Sequence, residues 1–405
     1  MSSTLVPEHR ATAAPLAAVL RFLLRTKLYW GLIALYAVGV LASPISSRGV
    51  NIFLTEANQS DVLRQVSNNG IVAVGMTLVI LIGGIDLSVG SVMALGSVLC
   101  AMLLTQTGWT TASALAIPLF AAFVLLAVAW GVTLAGRGRR GARLAGWVCG
   151  ALASAGAVAW TVGQVPQKFG VLGVLLVVPV AGLAVGALNG VIIARARLQP
   201  FIVTLAMMVG MLGTARLVAG PDTTVYPVYT GTNATPAFEG LRMLIRHVLP
   251  VPGLFFLAAV VIFSLLLRRT TFGRYIYAIG GNEQATRFSG VAVERVKIAV
   301  YALSGALACL AGVLYVAQYR QGKPDAGVGI ELDAIAAVVI GGTNLMGGRG
   351  SIVGTLVGVL IFGFLGNILQ LRNIDSNTQL VLKGVIIIVA VLLQEGNVRF
   401  GRRYR

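Results

Sequence analysis

Long apolar runs separated by short polar loops constrain the fold of this chain more than any other feature of its sequence. The chain has 405 residues, of which 57% are hydrophobic and 11% are charged, whereas soluble domains contain about 45–50% apolar and about 25% charged residues. Because a membrane span takes about 20 residues, the chain has room for roughly ten to twelve spans. The sequence therefore predicts an all-α, polytopic integral membrane helical bundle.

The formal net charge of +18 has two candidate explanations, nucleic acid and the membrane surface. Lys and Arg beside spans are retained in the cytoplasm and meet anionic lipid headgroups. We therefore expect membrane lipid as a partner and no nucleic acid. The three cysteines, Cys100, Cys149 and Cys309, are scattered through apolar stretches, and the chain has two histidines. This pattern argues against a disulfide framework, and no metal site is expected.

Basic segments predict the sidedness of the bundle. They occur in an N-terminal tail (1–27), in a loop at 137–143, in a long loop at 268–297 and in a C-terminal tail (396–405). Since such segments stay on the cytoplasmic side, we expect both termini in the cytoplasm and a transmembrane region at 28–395. In an outer loop, the spacing of Leu241, Leu244, Ile245 and Val248 predicts an amphipathic helix on the membrane surface.

The loop at 268–297 is the longest polar interruption between spans. Gly280-Gly281 is typical of a tight turn, Asn282 of a helix N-cap and Glu283 of a first helical turn. Gly290 is typical of a helix end. Ala285 and Phe288, three residues apart, share one face of this short helix. Such a helix either docks on a partner or is a connector on its own bundle or on lipid, and the residues alone leave both open.

Two segments interrupt the apolar runs in a similar way, Ile82–Gly90 and Ile340–Ser351. Each follows an apolar run, begins with a Gly-Gly pair and leads into a helix with spaced glycines, which suggests a weak parallel repeat. Non-helical backbone at membrane depth occurs where protein or a water-filled cavity surrounds it. The two segments are therefore either part of a pathway or ordinary turns between helices. Asp86 is either the N-cap of a helix beginning at Leu87 or a polar group of the pathway.

Four stretches of the sequence resemble one family in the expected order. They are AVGMTLVILIGGIDLSVGSVMAL (73–95), LNGVIIARARLQPFIVTLAMM (188–208), GRYIYAIGGNEQATRFSGV (273–291) and ELDAIAAVVIGGTNLMGGRGSIVGTLVG (331–358). This combination resembles the permease subunits of ribose/xylose/arabinose/galactose-type ABC importers. The resemblance covers most of the chain from about Val66 onward. It departs at 110–166, where two extra spans are expected as a peripheral helical hairpin.

The resemblance implies an ATP-driven importer of a monosaccharide or polyol in the bacterial inner membrane. The sequence lacks the ATP-binding pattern Gly-x-x-x-x-Gly-Lys-Ser/Thr, so the chain is expected to be no enzyme, with ATP and Mg bound by a separate ABC ATPase subunit. The other expected partners are a periplasmic sugar-binding protein and a second permease copy, which makes a homodimer around the pathway. The family pattern has about ten spans, each of about 20 residues, besides the two of the hairpin.

The resemblance and the motifs together assign candidate site residues. The ATPase-coupling residues are Gly273, Arg274, Tyr277, Ala278, Gly280, Gly281, Asn282, Glu283, Ala285, Arg287, Phe288, Ser289 and Gly290. The translocation-pathway residues are Gly83, Gly84, Asp86, Ser88, Asn189, Gly341, Gly342, Thr343 and Asn344. Glu331 and Asp333 either contact the binding protein or form a charge pair stabilised by the dipole of their own helix.

Two other classes of membrane protein compete with this interpretation. An ion-coupled secondary transporter needs intramembrane carboxylates near broken helices, and Asp86 is the one good candidate. A membrane-embedded enzyme needs a constellation of His, Cys or carboxylate groups within the spans, and the sequence has none.

Overall fold

The structure of the protein is a computed structural model, which describes residues 27–135, 140–220, 225–246 and 248–403. Most of the predicted N-terminal tail (1–26), part of the basic loop (136–139) and the end of the C-terminal tail (404–405) lie outside the described residues, as does His247.

The described chain is a succession of helices with very little sheet. The helices are α1 (Lys27–Ala42), α2 (Glu56–Leu81), α3 (Val89–Thr105), α4 (Thr111–Ala135), α5 (Arg140–Gln164), α6 (Val171–Ala196), α7 (Pro200–Ala219), α8 (Val251–Arg269), α9 (Thr271–Gly281), α10 (Glu283–Phe288), α11 (Val293–Tyr319), α12 (Ile330–Ile340), α13 (Ile352–Leu371) and α14 (Ser376–Arg403). Two antiparallel ladders pair β1 (Tyr226–Pro227) with β4 (Gln321–Gly322) and β2 (Leu244–Ile245) with β3 (Leu249–Pro250).

Within the described ranges, 7 helices are long and apolar enough to cross a membrane. They are α4, α5, α6, α7, α8, α11 and α13, and the shorter apolar helices α1 and α3 accompany them. This architecture confirms the predicted all-α, polytopic membrane bundle. Helix α12 has only 11 residues and stops at the second of the two interrupted segments.

Helix α11 lies at the centre of the bundle and packs along α6, α3 and α2. Its contact with α6 is close because three glycines of α6, spaced by four residues, face α11: Gly182, Gly186 and Gly190. A Cβ atom at Gly182 or Gly186 would overlap a backbone carbonyl of α11. Small residues that let backbones approach in this way replace the hydrophobic drive for packing inside a membrane.

Helices α4 and α5 form a hairpin that packs mainly on itself and on α6. The Ser154 hydroxyl of α5 donates a hydrogen bond to the Ala121 carbonyl of α4 over 2.9 Å. Large apolar side chains on the hairpin, such as Trp130 and Trp147, are exposed. The chain enters and leaves the hairpin at one place, since Phe169 N donates to Leu103 O over 2.9 Å and Gly108 N donates to Val165 O over 3.0 Å.

The predicted surface helix at 241–248 is wrong. A 3₁₀ helix ends at Leu241, and the chain then forms the hairpin of β2 and β3. Arg246 turns the chain with a left-handed backbone (φ 50°). Pro250 favours this outcome, because a residue that precedes proline, here Leu249, disfavours helical backbone.

Candidate coupling and translocation site

The loop between α8 and α11 lies within the segment 268–297 whose residues are predicted to couple to an ATPase, and it is called the coupling loop below. It folds into two helices, of which α9 is the first. The Thr270 hydroxyl oxygen accepts a hydrogen bond from Gly273 N over 3.1 Å and so caps α9. Ile276 and Ile279 are buried on one face of the helix. Arg274, Tyr275 and Ala278 are exposed on the other. Helix α9 therefore lies against the bundle with an open outer face, which carries two of the predicted coupling residues.

The second helix, α10, begins and ends as the sequence predicts. Asn282 Oδ1 accepts a hydrogen bond from Ala285 N over 2.9 Å, which confirms the N-cap. The chain leaves the helix through Ser289 and then Gly290, which has a left-handed backbone (φ 83°). The helix is short, with 6 residues.

Ion pairs hold α10 against the start of α11. Glu283 contacts Lys297 Nζ at 2.7 Å, and Arg287 pairs with Glu294 and, at 3.5 Å, with Glu283. The hydrogen bond to Glu294 raises the pKa of the Arg287 guanidinium above its usual value. Arg287, one of the predicted coupling residues, is therefore engaged with its own chain.

The side chains of α10 divide between a buried and an open face. Thr286 is buried and its hydroxyl donates to Asn282 O over 2.7 Å. Ala285 is exposed, and Phe288 is 89% exposed. Phe288 and Ala285 together therefore present the apolar, outward face of α10.

Gly280, at the end of α9, lies at the junction of the coupling loop with both interrupted segments. A Cβ atom at this position would overlap the Leu81 carbonyl oxygen, at the end of α2, and the Gly348 backbone nitrogen. These two atoms are themselves joined, because Gly348 N donates to Leu81 O over 3.0 Å. Three backbone segments therefore meet here without an intervening side chain.

The predicted tight turn at Gly280-Gly281 is wrong, since both residues belong to α9. Gly280 permits a close approach of backbones and not a turn. A Cβ atom at Gly281 would contact nothing within 4 Å, so the structure gives no steric reason for glycine at this position.

A side-chain contact also joins α9 to the second interrupted segment. The Tyr277 hydroxyl donates a hydrogen bond to Gly350 O over 2.9 Å. Partial burial raises the pKa of the Tyr277 phenol. Tyr277 thus faces the bundle, whereas its neighbours Arg274 and Ala278 face outward.

The two interrupted segments begin with the same backbone motif. Gly84 N donates to Val79 O over 3.0 Å, and Gly83 has a left-handed backbone (φ 78°). Likewise Thr343 N donates to Val338 O over 3.2 Å, and Gly342 has φ 85°. This is the Schellman ending of a helix. The motif makes Gly83 equivalent to Gly342. An alignment of the two Gly-Gly pairs would instead match Gly83 with Gly341, so the structural correspondence is shifted by one residue.

Beyond the first motif lies a buried polar cluster. Asp86 Oδ1 accepts hydrogen bonds from Ser88 N over 3.0 Å and from the Ser88 hydroxyl over 2.6 Å. Its Oδ2 accepts one from the Ser304 hydroxyl over 3.3 Å. Asn189 Nδ2 donates to the Ser88 hydroxyl oxygen over 2.9 Å. The cluster therefore joins the start of α3 to α6 and α11.

The predicted N-cap role of Asp86 is wrong. Helix α3 begins at Val89 and its N-cap is Ser88, so Asp86 lies two residues before the cap. Its carboxylate instead accepts the backbone N–H of the cap residue. A turn closed by an aspartate on the backbone two residues later is a common local arrangement.

The predicted pathway residues divide into two groups. Asp86, Ser88 and Asn189 are all buried and in hydrogen-bond contact. The glycine-rich group, which comprises Gly83, Gly84, Gly341, Gly342, Thr343 and Asn344, lies in the two Schellman turns close to α9. Their role in translocation remains a prediction.

Glu331 and Asp333 lie in the first turn of α12, and the Glu331 carboxylate lies beside Gly90 at the start of α3. Glu331 Oε1 accepts a hydrogen bond from Gly329 N over 3.3 Å. Asp333 instead pairs with Lys383 of α14, whose Nζ lies 2.8 Å from Oδ2. The position of both carboxylates fits the helix-dipole alternative, and a contact with a binding protein remains a prediction.

Two residues of the coupling loop escaped prediction from the sequence. Tyr275 exposes an aromatic ring beside Arg274, and its spacing of three residues from Ala278 is the signal that identifies the outer face of α9. Thr286 is the buried residue of α10. Its i−4 hydrogen bond to Asn282 O is a common habit of threonine in helices.

Known proteins that match this chain over most of its length are permease components of transport systems. A family model described as the branched-chain amino acid transport system / permease component matches residues 58–142 and 141–391. The ribose import permease protein of Escherichia coli is 40% identical over 365 residues, which are 89% of this chain and 92% of that protein. The ribose import permease protein of Bacillus subtilis is 38% identical over 84% of this chain and 85% of that protein.

A relative named for another sugar matches over a similar length. The L-arabinose ABC transporter permease protein of Azospirillum brasilense is 31% identical over 85% of this chain and 81% of that protein. No solved structure matches the chain. The family model spans the coupling loop and both interrupted segments, and these relatives each match more than four fifths of the chain. The chain therefore belongs to this family of transport-system permease components.

Proposed function

We propose that this chain is the membrane-spanning permease subunit of an ATP-driven importer for a monosaccharide or a related polyol. The observation that carries the proposal is the coupling loop: α10 presents Phe288 to solvent while α9 contacts both interrupted segments through Gly280. A loop of this kind suits a protein whose driving force arises in another chain. The sugar class comes from the relatives, which are named for ribose, arabinose and fructose.

In this mechanism, a separate ABC ATPase subunit binds ATP and Mg and docks on the exposed face of α10. Glu283 and Arg287 fix α10 on α11 through their ion pairs. A displacement of α10 by the ATPase subunit therefore also displaces α11, the central helix. Gly280 and Tyr277 pass the same movement to the turns at Leu81 and Gly350. Closely packed interfaces transmit such shifts because packed cores resist continuous deformation.

The remaining parts of the assembly follow from the same proposal. The end that carries α9 and α10 faces the cytoplasm of a bacterium, together with both termini, since Arg268, Arg269 and Arg274 lie there. The opposite end receives sugar from a periplasmic binding protein. Two copies of the chain form a homodimer around the pathway in the inner membrane.

The test is reconstitution of the purified complex in proteoliposomes. The permease is co-expressed with an ATPase and a binding protein of the same transport system, and uptake of radiolabelled ribose, arabinose and fructose is measured with and without ATP inside. We expect uptake that requires ATP and persists when a protonophore collapses the proton gradient. Uptake that survives ATP depletion but stops with the protonophore would instead favour an ion-coupled secondary transporter.

A further inference from the structure

A polar cavity of about 250 Å³ opens at the end of the bundle opposite α9 and α10. It lies between α2, α3, α11, α12 and α14. Three amide side chains of α2, Gln65, Asn68 and Asn69, form one wall. The volume is near the lower end of the range of about 300–1,000 Å³ for small-molecule sites, so the cavity suits a small solute.

An ion pair separates this cavity from a second one of about 80 Å³. Asp333 and Lys383 line both cavities, as do Gln65 and Asn69. Lys383 Nζ lies 2.8 Å and 3.1 Å from the two carboxylate oxygens of Asp333. The pair therefore joins α12 to α14 between the two cavities, and each charge neutralises the other.

Asn68 has an unsatisfied polar atom at the wall of the larger cavity. Its side chain is 4% exposed, and its Nδ2 donates to Gln318 Oε1 over 2.8 Å. Its Oδ1 has no hydrogen-bond partner among the described residues. This oxygen is itself buried, so it is an unsatisfied acceptor behind the cavity wall, at a cost of about 1–3 kcal/mol.

Two stacked tyrosines of α11 form another part of the wall. The rings of Tyr315 and Tyr319 have centroids 4.5 Å apart and planes inclined at 38°. Both rings line the cavity and supply apolar contact for C–H groups, while the amides of α2 offer donors and acceptors. Pockets of this type combine apolar or aromatic surface with a few placed polar groups.

We propose that this amide-lined cavity, one in each copy, binds an uncharged monosaccharide beside the pathway that the two copies enclose, an inference that rests on the proposed function. The amides match hydroxyl groups, the tyrosine rings match the C–H face of a sugar, and the lining carries no unpaired charge. An amino acid zwitterion would need a free carboxylate and a free ammonium group, but Asp333 and Lys383 are engaged with each other.

The first test separates sugar transport from ATP hydrolysis in the reconstituted complex. Asn69→Leu removes hydrogen-bonding capacity from the cavity, and Asn377→Leu is the matched control, because Asn377 is an exposed amide at the start of α14 outside both cavities. We expect Asn69→Leu to lower ribose transported per ATP hydrolysed at least tenfold, with ATP hydrolysis within twofold of wild type. The control should change neither quantity.

The second test measures binding without transport and so does not depend on Asn69→Leu folding. Gln65→Cys is made in a Cys149→Ser background, because Cys149 is the exposed cysteine of the described residues. Labelling by a membrane-impermeant maleimide should slow at least threefold with saturating ribose and remain unchanged with leucine. Thr232→Cys, in an exposed loop, serves as the control that neither ligand protects.

The outcomes distinguish the two proposals. If wild type transports none of the three sugars with ATP, the proposed function fails and this inference fails with it. If wild type transports ribose but Asn69→Leu matches its control and Gln65→Cys is not protected, the cavity assignment alone is overturned. Protection by leucine and not by ribose would also overturn the assignment to a sugar.

Discussion

At the scale of single residues, Asp86 shows how a buried carboxylate is satisfied within a membrane bundle. It accepts hydrogen bonds from Ser88 N, the Ser88 hydroxyl and the Ser304 hydroxyl. We expect Asp86→Ala to lose most folded protein, because it leaves buried donors unpaired at about 1–3 kcal/mol each. Asp86→Asn keeps an acceptor for Ser88 and should fold and transport nearly normally. Size-exclusion profiles in detergent and uptake assays measure the two properties.

Ser304→Ala is the control for Asp86, since it removes only the longest of the three hydrogen bonds and should have a small effect. Asp86→Asn that folds well but transports no sugar would contradict the structural role and show that the charge itself is required.

Phe288 is the residue whose environment points most directly to a partner. Its ring is 89% exposed, so Phe288→Ala should leave the permease folded. Truncation of an aromatic anchor often costs about 2 kcal/mol or more in binding, which is roughly thirtyfold in affinity. We therefore expect the ATPase subunit to dissociate during purification in detergent, and the permease-to-ATPase ratio on a gel measures the loss.

Trp130→Ala is the matched control for Phe288, because Trp130 is also an exposed aromatic residue but belongs to α4. It should retain the ATPase subunit. Full retention by Phe288→Ala would contradict docking on α10 and favour a connector helix.

At the scale of elements, the junction at Gly280 yields a test with its control one residue away. Gly280→Ala places a Cβ atom against the Leu81 carbonyl and Gly348 N, whereas a Cβ atom at Gly281 contacts nothing. Both substitutions are in a helix, where alanine is favoured over glycine by about 1 kcal/mol. We expect Gly280→Ala to reduce uptake strongly, with a lower unfolding temperature, and Gly281→Ala to behave like wild type. Equal uptake by the two variants would contradict the role of the junction.

Local chemistry explains which elements the sequence predicts correctly. The cap at Asn282 and the stop at Gly290 depend on neighbouring residues, so they can be predicted from the loop itself. The hairpin at 244–250 was missed because its apolar spacing imitates a helix, and Arg246 gives no advance sign of a left-handed backbone.

The features that could not be predicted from the sequence depend on contacts between distant segments. The role of Gly280 depends on Leu81 and Gly348, which are far away along the chain. The amide-lined cavity likewise combines Asn69 with Lys383. Neither arrangement has a signal in the neighbouring sequence. A Gly-Gly pair in a polar loop predicts a turn and not a close contact between backbones.

At the scale of the whole molecule, the hairpin of α4 and α5 is an addition to a bundle that is complete without it. Hydrogen bonds from Phe169 to Leu103 and from Gly108 to Val165 hold its two ends together. Most buried side chains of α4, such as Ala116 and Phe120, are apolar, and the buried Ser113 hydroxyl donates to Thr110 O beside it. Lipid tails are as apolar as the side chains that they would replace, so the surface uncovered by removal of the hairpin remains compatible with the membrane.

We therefore expect replacement of residues 110–166 by a short polar loop to preserve the fold, ATP-dependent sugar uptake and the sidedness of the chain. The removal of one descending and one ascending helix leaves the direction of every later helix unchanged. Labelling of Ser376→Cys with an impermeant reagent, compared between the shortened and the full chain in a Cys149→Ser background, measures the sidedness, and the mass of the detergent-solubilised complex measures its oligomeric state. Loss of a dimer on removal would contradict a peripheral position and identify α4 and α5 as part of the interface between the two copies.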